Sequence, residues 1–161
     1  MTKMFVWLFL MAGLLSLQVN AQDASDEVTD DEMKRYARME AKVAAFVQEK
    51  QSTLEEMIKN NEVLGGGARY NEIKAAWGKA DKLESIQLKD DEKAAYEEIQ
   101  SYIDSIGEEV KAYMVELIKD NDVLGAATYN KVKKALNADP SLKEKMNNMI
   151  EELKKESSGA L

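Results

Sequence analysis

The chain has 161 residues, a length that usually makes one domain, and its 22 basic and 30 acidic residues leave a formal charge of −8. Phosphate binding needs a positive face, and the lysines here are interleaved with acids, so nucleic acid is excluded as an expected partner. There is no cysteine and no histidine, which excludes disulfides, thiol chemistry and the usual zinc and copper sites.

The first 21 residues read as a secretory signal peptide. Lys3 supplies a positive start, and Met4 to Leu17 is an apolar run interrupted only by Gly13 and Ser16. Val19-Asn20-Ala21 then gives small residues around a cleavage site after Ala21. The run is short for a membrane span, which needs roughly 20 residues. An uncleaved anchor is the alternative. Cleavage leaves 140 residues with a formal charge of −9, since Lys3 is lost. Lipid attachment through a cysteine is closed. The expected location is therefore the periplasm or the extracellular space, with no stable membrane anchor.

Residues 22–28 are expected to be an acidic, disordered leader, because Asp23 to Glu32 holds six acids in ten residues. A single helical domain is expected over 29–156. It contains an internal repeat. Ile58-Lys59-Asn60-Asn61-Glu62-Val63-Leu64-Gly65 aligns with Ile118-Lys119-Asp120-Asn121-Asp122-Val123-Leu124-Gly125, and six of the eight positions are identical. The same offset of 60 matches Asp30-Asp31-Glu32 to Asp90-Asp91-Glu92 and Tyr36 to Tyr96. Past the extra glycine of Gly65-Gly66-Gly67 the offset is 59. There Tyr70-Asn71 matches Tyr129-Asn130, Ile73 matches Val132, and Ala76 matches Ala135. Repeat 1 spans about 29–82 and repeat 2 about 89–142.

Each repeat reads as a long helix, a turn and a shorter helix. Tyr36, Met39, Val43, Phe46, Lys50, Leu54 and Met57 step by three or four, an apolar seam with one polar break at Lys50. Tyr96, Ile99, Ile103, Ile106, Val110, Tyr113 and Leu117 repeat the pattern in the second copy. Thr29, Asp30 and Asp90 are candidate N-caps. Asn60-Asn61 and Asp120-Asn121, with the glycines after them, suit sharp reversals. Short helices are expected from about Gly67 to Ala80 and from Ala126 to Asn137, with Tyr70, Ile73 and Trp77 on one and Tyr129, Val132 and Leu136 on the other. A last helix over about 140–156 starts with Asp139 as N-cap and Pro140 at the first helical position. Leu142, Met146, Met149 and Leu153 form its seam, and 157–161 reads as a frayed tail. A short helix covers less than half of its long one. The long helices should therefore pack on each other in a bundle, within one chain or in a homo-oligomer. Gly107, inside the second long helix, is either a tolerated defect or the mark of a close contact or kink.

No catalytic, cofactor-binding or metal-binding residue stands out, and no cofactor is expected. Gly65-Gly66-Gly67 lacks the Gly-Lys-Ser/Thr of a phosphate loop. Asp120-Asn121-Asp122 with Gly125 misses the calcium-loop pattern, because Leu124 stands where an oxygen ligand belongs. The structural signature of the repeat is Leu64, Gly65, Tyr70, Asn71 and Ile73, and again Leu124, Gly125, Tyr129, Asn130 and Val132. The tyrosines are expected to plug the hairpins and the asparagines to bond the turns. A binding role for them is the alternative.

At these residues the chain resembles a family of exported bacterial proteins catalogued as domain of unknown function 4168. The resemblance rests on Thr29-Asp30-Asp31-Glu32, on Leu124 followed after four residues by Tyr129-Asn130 and Val132, and on Asp139-Pro140. It would cover most of 28–156 as two copies. Val63 and Val123 depart from it, standing where the family usually has glycine, and so does the extra glycine of the first copy. It implies a helical exported protein and supplies no activity, ligand or catalytic residue. The expected function is a non-enzymatic interaction or structural module with an unknown protein partner. One alternative is a periplasmic chaperone or envelope stress protein, whose methionines would make an adaptable surface. Another is a weak calcium binder or carboxylate-dependent enzyme.

Overall fold

The computed structural model describes residues 27–158 of the chain, with side chains described as far as 155. The expected signal peptide and cleavage site, and residues 22–26 of the expected acidic leader, lie outside the described residues. The described residues form six helices and no strand, an all-α helical bundle. The long helices are α1 (Asp30–Lys59) and α4 (Asp90–Lys119), each of 30 residues. At 1.5 Å per residue each is about 45 Å long. They are followed by α2 (Gly67–Ala76) and α5 (Ala126–Ala138). A short α3 (Ala80–Ser85) joins the repeats, and α6 (Pro140–Ser158) ends the fold.

Both long helices start on a glutamate latch. The Thr29 amide donates to Glu32 Oε2 at 2.8 Å and the Glu32 amide donates to Thr29 Oγ1 at 3.2 Å, a capping box. In α4 the Lys89 amide donates to Glu92 Oε2 at 3.0 Å. The N-caps are therefore Thr29 and Lys89. Asp30 and Asp90 lie one residue inside, where their charge meets the positive helix end. Val28, placed by its composition in a disordered leader, packs against the core instead. Val28 and the buried Met33 occupy the positions of a hydrophobic staple, which sets the angle at which the chain enters α1.

The first short helix ends earlier than its apolar pattern predicts. α2 stops at Ala76, Trp77 turns its indole onto Tyr96 at 4.3 Å between ring centres, and Gly78 adopts φ +76°. That left-handed backbone suits glycine and closes a helix. The second copy has Asn137 at the matching position, and α5 runs on through it to Ala138. α6 begins as its pattern predicts. The Asp139 carboxylate accepts from the Ser141 amide at 2.8 Å, and Pro140 takes the first helical position.

The long helices pack antiparallel, which divides the interior in two. The larger core joins the first half of α1 (Met33, Tyr36, Ala37, Met39, Val43) to Leu117 of α4, Leu124 of the second turn, Val132 of α5 and Met146 of α6. The smaller core joins Ala95, Tyr96 and Ile99 of α4 to Leu64 of the first turn and to Tyr70 and Ile73 of α2. Between them the contact turns polar. Lys50 forms an ion pair with Glu109 and stands 5.0 Å over the Phe46 ring, while the Tyr102 hydroxyl donates to the Lys50 carbonyl at 3.4 Å.

One copy carries a helix that the other lacks. Asp30 pairs with Lys145 of α6 at 2.8 Å, and Glu40 and Ala44 border Ile150. Met33 and Ala37 lie on the same stripe of α1. The stripe Met33, Ala37, Glu40, Ala44 corresponds in α4 to Lys93, Glu97, Gln100 and Asp104. Three of these four are exposed and Gln100 is half-buried. An amphipathic helix can bury its seam against Met33, Ala37 and Ala44 of the first stripe with Glu40 as the one carboxyl it desolvates, and would have to desolvate three charges on the second. So α6 docks on α1.

Leu117 is buried in the larger core, and Leu117→Ala should cost roughly 2–5 kcal/mol in denaturant unfolding. Gly107 is exposed inside unbroken helix, and a methyl group there would meet nothing within 4 Å. No close helix contact requires the glycine. Gly107→Ala should therefore raise stability by about 0.5–1 kcal/mol, and a lower midpoint would show a hidden constraint.

Candidate functional site

The residues repeated in both copies gather at two junctions, and each junction is built from both repeats. At the first, Tyr129 of repeat 2 stacks on Tyr36 of repeat 1, with ring centres 5.6 Å apart and planes 15° apart. At the second, Tyr70 of repeat 1 meets Tyr96 of repeat 2 at 5.5 Å. Tyr36 matches Tyr96 and Tyr129 matches Tyr70, so equivalent positions pair at both junctions, stacked at the first and tilted by 35° at the second. A lysine stands over the short-helix ring in each, Lys133 at 5.4 Å and Lys74 at 5.9 Å. The tyrosines thus pair across the two repeats.

The rest of the signature falls into place around these rings. Leu64, Ile73, Leu124 and Val132 are buried beside them. Gly125 is buried at the second turn and Gly65 is exposed at the first. Asn71 is exposed and Asn130 half-buried. The first turn is bonded by a different asparagine, Asn61, whose Oδ1 accepts from the Leu64 amide at 2.9 Å.

Cations from the short helices fasten each junction at the glutamate latch. Arg69 of α2 donates to both Glu92 oxygens, at 2.8 and 2.6 Å, and to the Ile86 carbonyl at 3.1 Å. Lys131 of α5 donates to both Glu32 oxygens, at 3.0 and 2.9 Å. Under the repeat alignment Arg69 corresponds to Thr128, and Lys131 to Glu72. The two cations reach equivalent glutamates from positions one helical turn apart. The Arg69 guanidinium, helped by the Lys89 amide, holds the Glu92 carboxyl down at about 2. The Glu32 carboxyl is also lowered, since the Thr29 and Lys131 bonds together outweigh its partial burial.

The second turn has an additional fastener. Arg35 donates to the carbonyls of Asn121 at 2.6 Å, Val123 at 3.2 Å and Leu124 at 3.0 Å. Asp120 Oδ1 accepts from the Asp122 amide at 2.8 Å. A guanidinium therefore sits on the carbonyls of the segment that faintly resembles a calcium loop. Among the described residues no three acidic side chains come together as metal ligands would.

One carboxyl stands apart. Glu40 faces the Tyr36 hydroxyl, Lys133 and Lys154, and borders an open groove between α1 and α6. Burial raises its pKa above the ordinary range, against the pull of those three neighbours. Its counterpart Gln100 donates to the Tyr70 hydroxyl at 3.3 Å. The repeat comparison could not single out Arg35 or Glu40, because Ala95 and Gln100 stand at their matching positions. Glu32 and Glu92 were visible as matched acids, yet their cation partners lie outside the aligned signature.

Comparison with protein-family models, curated proteins and solved structures finds no match to this chain.

The Glu92 latch makes a pH prediction. In the unfolded chain this carboxyl protonates near 4.5, and in the fold it stays ionised down to about 2. Its contribution is fully present above the first value and is lost as pH falls toward the second. Glu92→Gln should therefore lower the melting point at neutral pH, with the gap to wild type closing as pH approaches 2. A gap of constant size across that window would show that the latch carries no charge-dependent stability.

Proposed function

We propose that this chain is an exported, non-enzymatic helical module that acts by binding another protein. The observation that carries this reading is where the duplicated residues go. The paired tyrosines, the buried Leu and Val/Ile positions and the latch glutamates all hold the two repeats together. A fold whose repeated features serve its own assembly presents its surface to partners, as repeat-built interaction proteins do. Export rests on the signal peptide at residues 1–21, with cleavage after Ala21, and on the resemblance to domain of unknown function 4168, to which the chain is proposed to belong. The chaperone alternative needs apolar surface to hold clients. In the folded form Val63 is the large hydrophobic residue left exposed among those described.

In-cell crosslinking of the C-terminally tagged chain, followed by mass spectrometry, tests the proposal. One stoichiometric partner, enriched over an unrelated exported control, is the expected result. A broad set of unfolded exported proteins would instead identify a chaperone. Turnover of a substrate abolished by a single carboxylate substitution would identify an enzyme.

A further inference from the structure

We propose that the surface each repeat offers the other is also a docking surface for a second copy of this chain, filled by exchange of whole repeats. The partner is the chain itself, whether or not a further protein binds.

The contacts that close the molecule run from one repeat to the other. The ring pairs Tyr36–Tyr129, Tyr70–Tyr96 and Phe46–Tyr113 cross between repeats. So do Glu32–Lys131, Arg69–Glu92 and Lys50–Glu109. A repeat by itself leaves its seam uncovered, so each must find the other during folding. The other repeat can belong to the same chain or to a second one, and every contact above recurs unchanged in the second case.

The connection permits the exchange. Residues 77–89 join the repeats, and α3 within them has no buried residue. Thirteen residues reach about 43 Å when extended, close to the length of one long helix. Extension gives up the partial burial of Ile86 and Leu88 and the Arg69 bond to the Ile86 carbonyl, and it must leave Trp77 free to pack on a Tyr96 ring as it does within one chain. A connection of this length, if released from the core, holds the repeats at an effective concentration on the order of 1 mM. Closure within one chain therefore dominates in dilute solution. Exchange competes when the chain folds at about that concentration. Once formed, the exchanged dimer separates only by unfolding both units.

The full mature chain is denatured and refolded at about 1 mM and at roughly a thousandth of it. Both samples are then brought to the same low concentration, and their masses are measured by light scattering. The expected result is a dimer that survives dilution in the first sample, with a fraction more than about tenfold that in the second. Monomer in both samples, or a dimer that falls apart at once on dilution, overturns the proposal. A charge-reversal experiment identifies the surface. Full-length Arg69→Glu and Glu92→Arg chains are refolded together at about 1 mM. Exchange gives a heterodimer with one reversed and one native pair, melting above either variant alone. The R69E/E92R chain places the reversed pair within one molecule and shows whether it is tolerated. If that chain folds and the mixed single variants form no dimer, exchange is refuted. If it does not fold, the wild-type dilution result decides.

Discussion

A helix about 45 Å long with an apolar seam along its length cannot be covered by its own short return helix. That mismatch governs the architecture. α2 and α5 have 10 and 13 residues against 30 in each long helix. The uncovered part of one seam can only be closed by the other, and the antiparallel pairing of α1 with α4 does this with one geometry used twice. Each turn and short helix then lies beside the start of the other repeat's long helix. There the rings of Tyr36 and Tyr129, and of Tyr70 and Tyr96, meet.

The polar groups inside this arrangement serve the same closure. Each long helix needs its first amides satisfied, and a glutamate in the first turn bonds back to the amide ahead of the helix. That glutamate also presents a charge to the arriving short helix, which answers with Arg69 or Lys131. One side chain thus caps a helix and fixes the docking of the other repeat. Lys50 interrupts the seam without leaving a buried charge unpaired. Its stem covers Phe46 while its ammonium reaches Glu109. The result is two cores with a polar waist between them.

The departures from two-fold likeness are equally physical. Met33, Ala37 and Ala44 along one stripe of α1 admit α6 beside a single carboxyl, Glu40, and the charged Lys93, Glu97 and Asp104 at the matching positions of α4 do not. Gly78 stops the first short helix where Asn137 lets the second continue. Arg35 secures the second turn, while Ala95 at its matching position is buried in the smaller core. The molecule therefore has two unlike ends built on a common plan, with an open groove beside Glu40 where α6 lies on α1.

Much of this was legible in the chain by itself. The three-and-four spacing of Tyr36 to Met57 and Tyr96 to Leu117, the matched Asn-containing turns, and Asp139-Pro140 each depend on neighbours within a turn or two. Local periodicity and capping therefore determined α1, α4, α5, α6 and the all-α class, but not the early stop of α2 at Ala76 or the separate α3, since the pattern of α2 runs on as one helix to about Ala80. The tertiary structure alone decided which repeat each tyrosine stacks against, which cation reaches each latch glutamate, and that buried Met33 and Ala37, with half-buried Ala44, form a second packed stripe on α1. Those outcomes depend on residues some 20 to 100 positions apart, such as Arg69 with Glu92 and Lys131 with Glu32. Among many surface lysines and glutamates of similar pattern, only close packing of the two seams brings a given pair within hydrogen-bond reach.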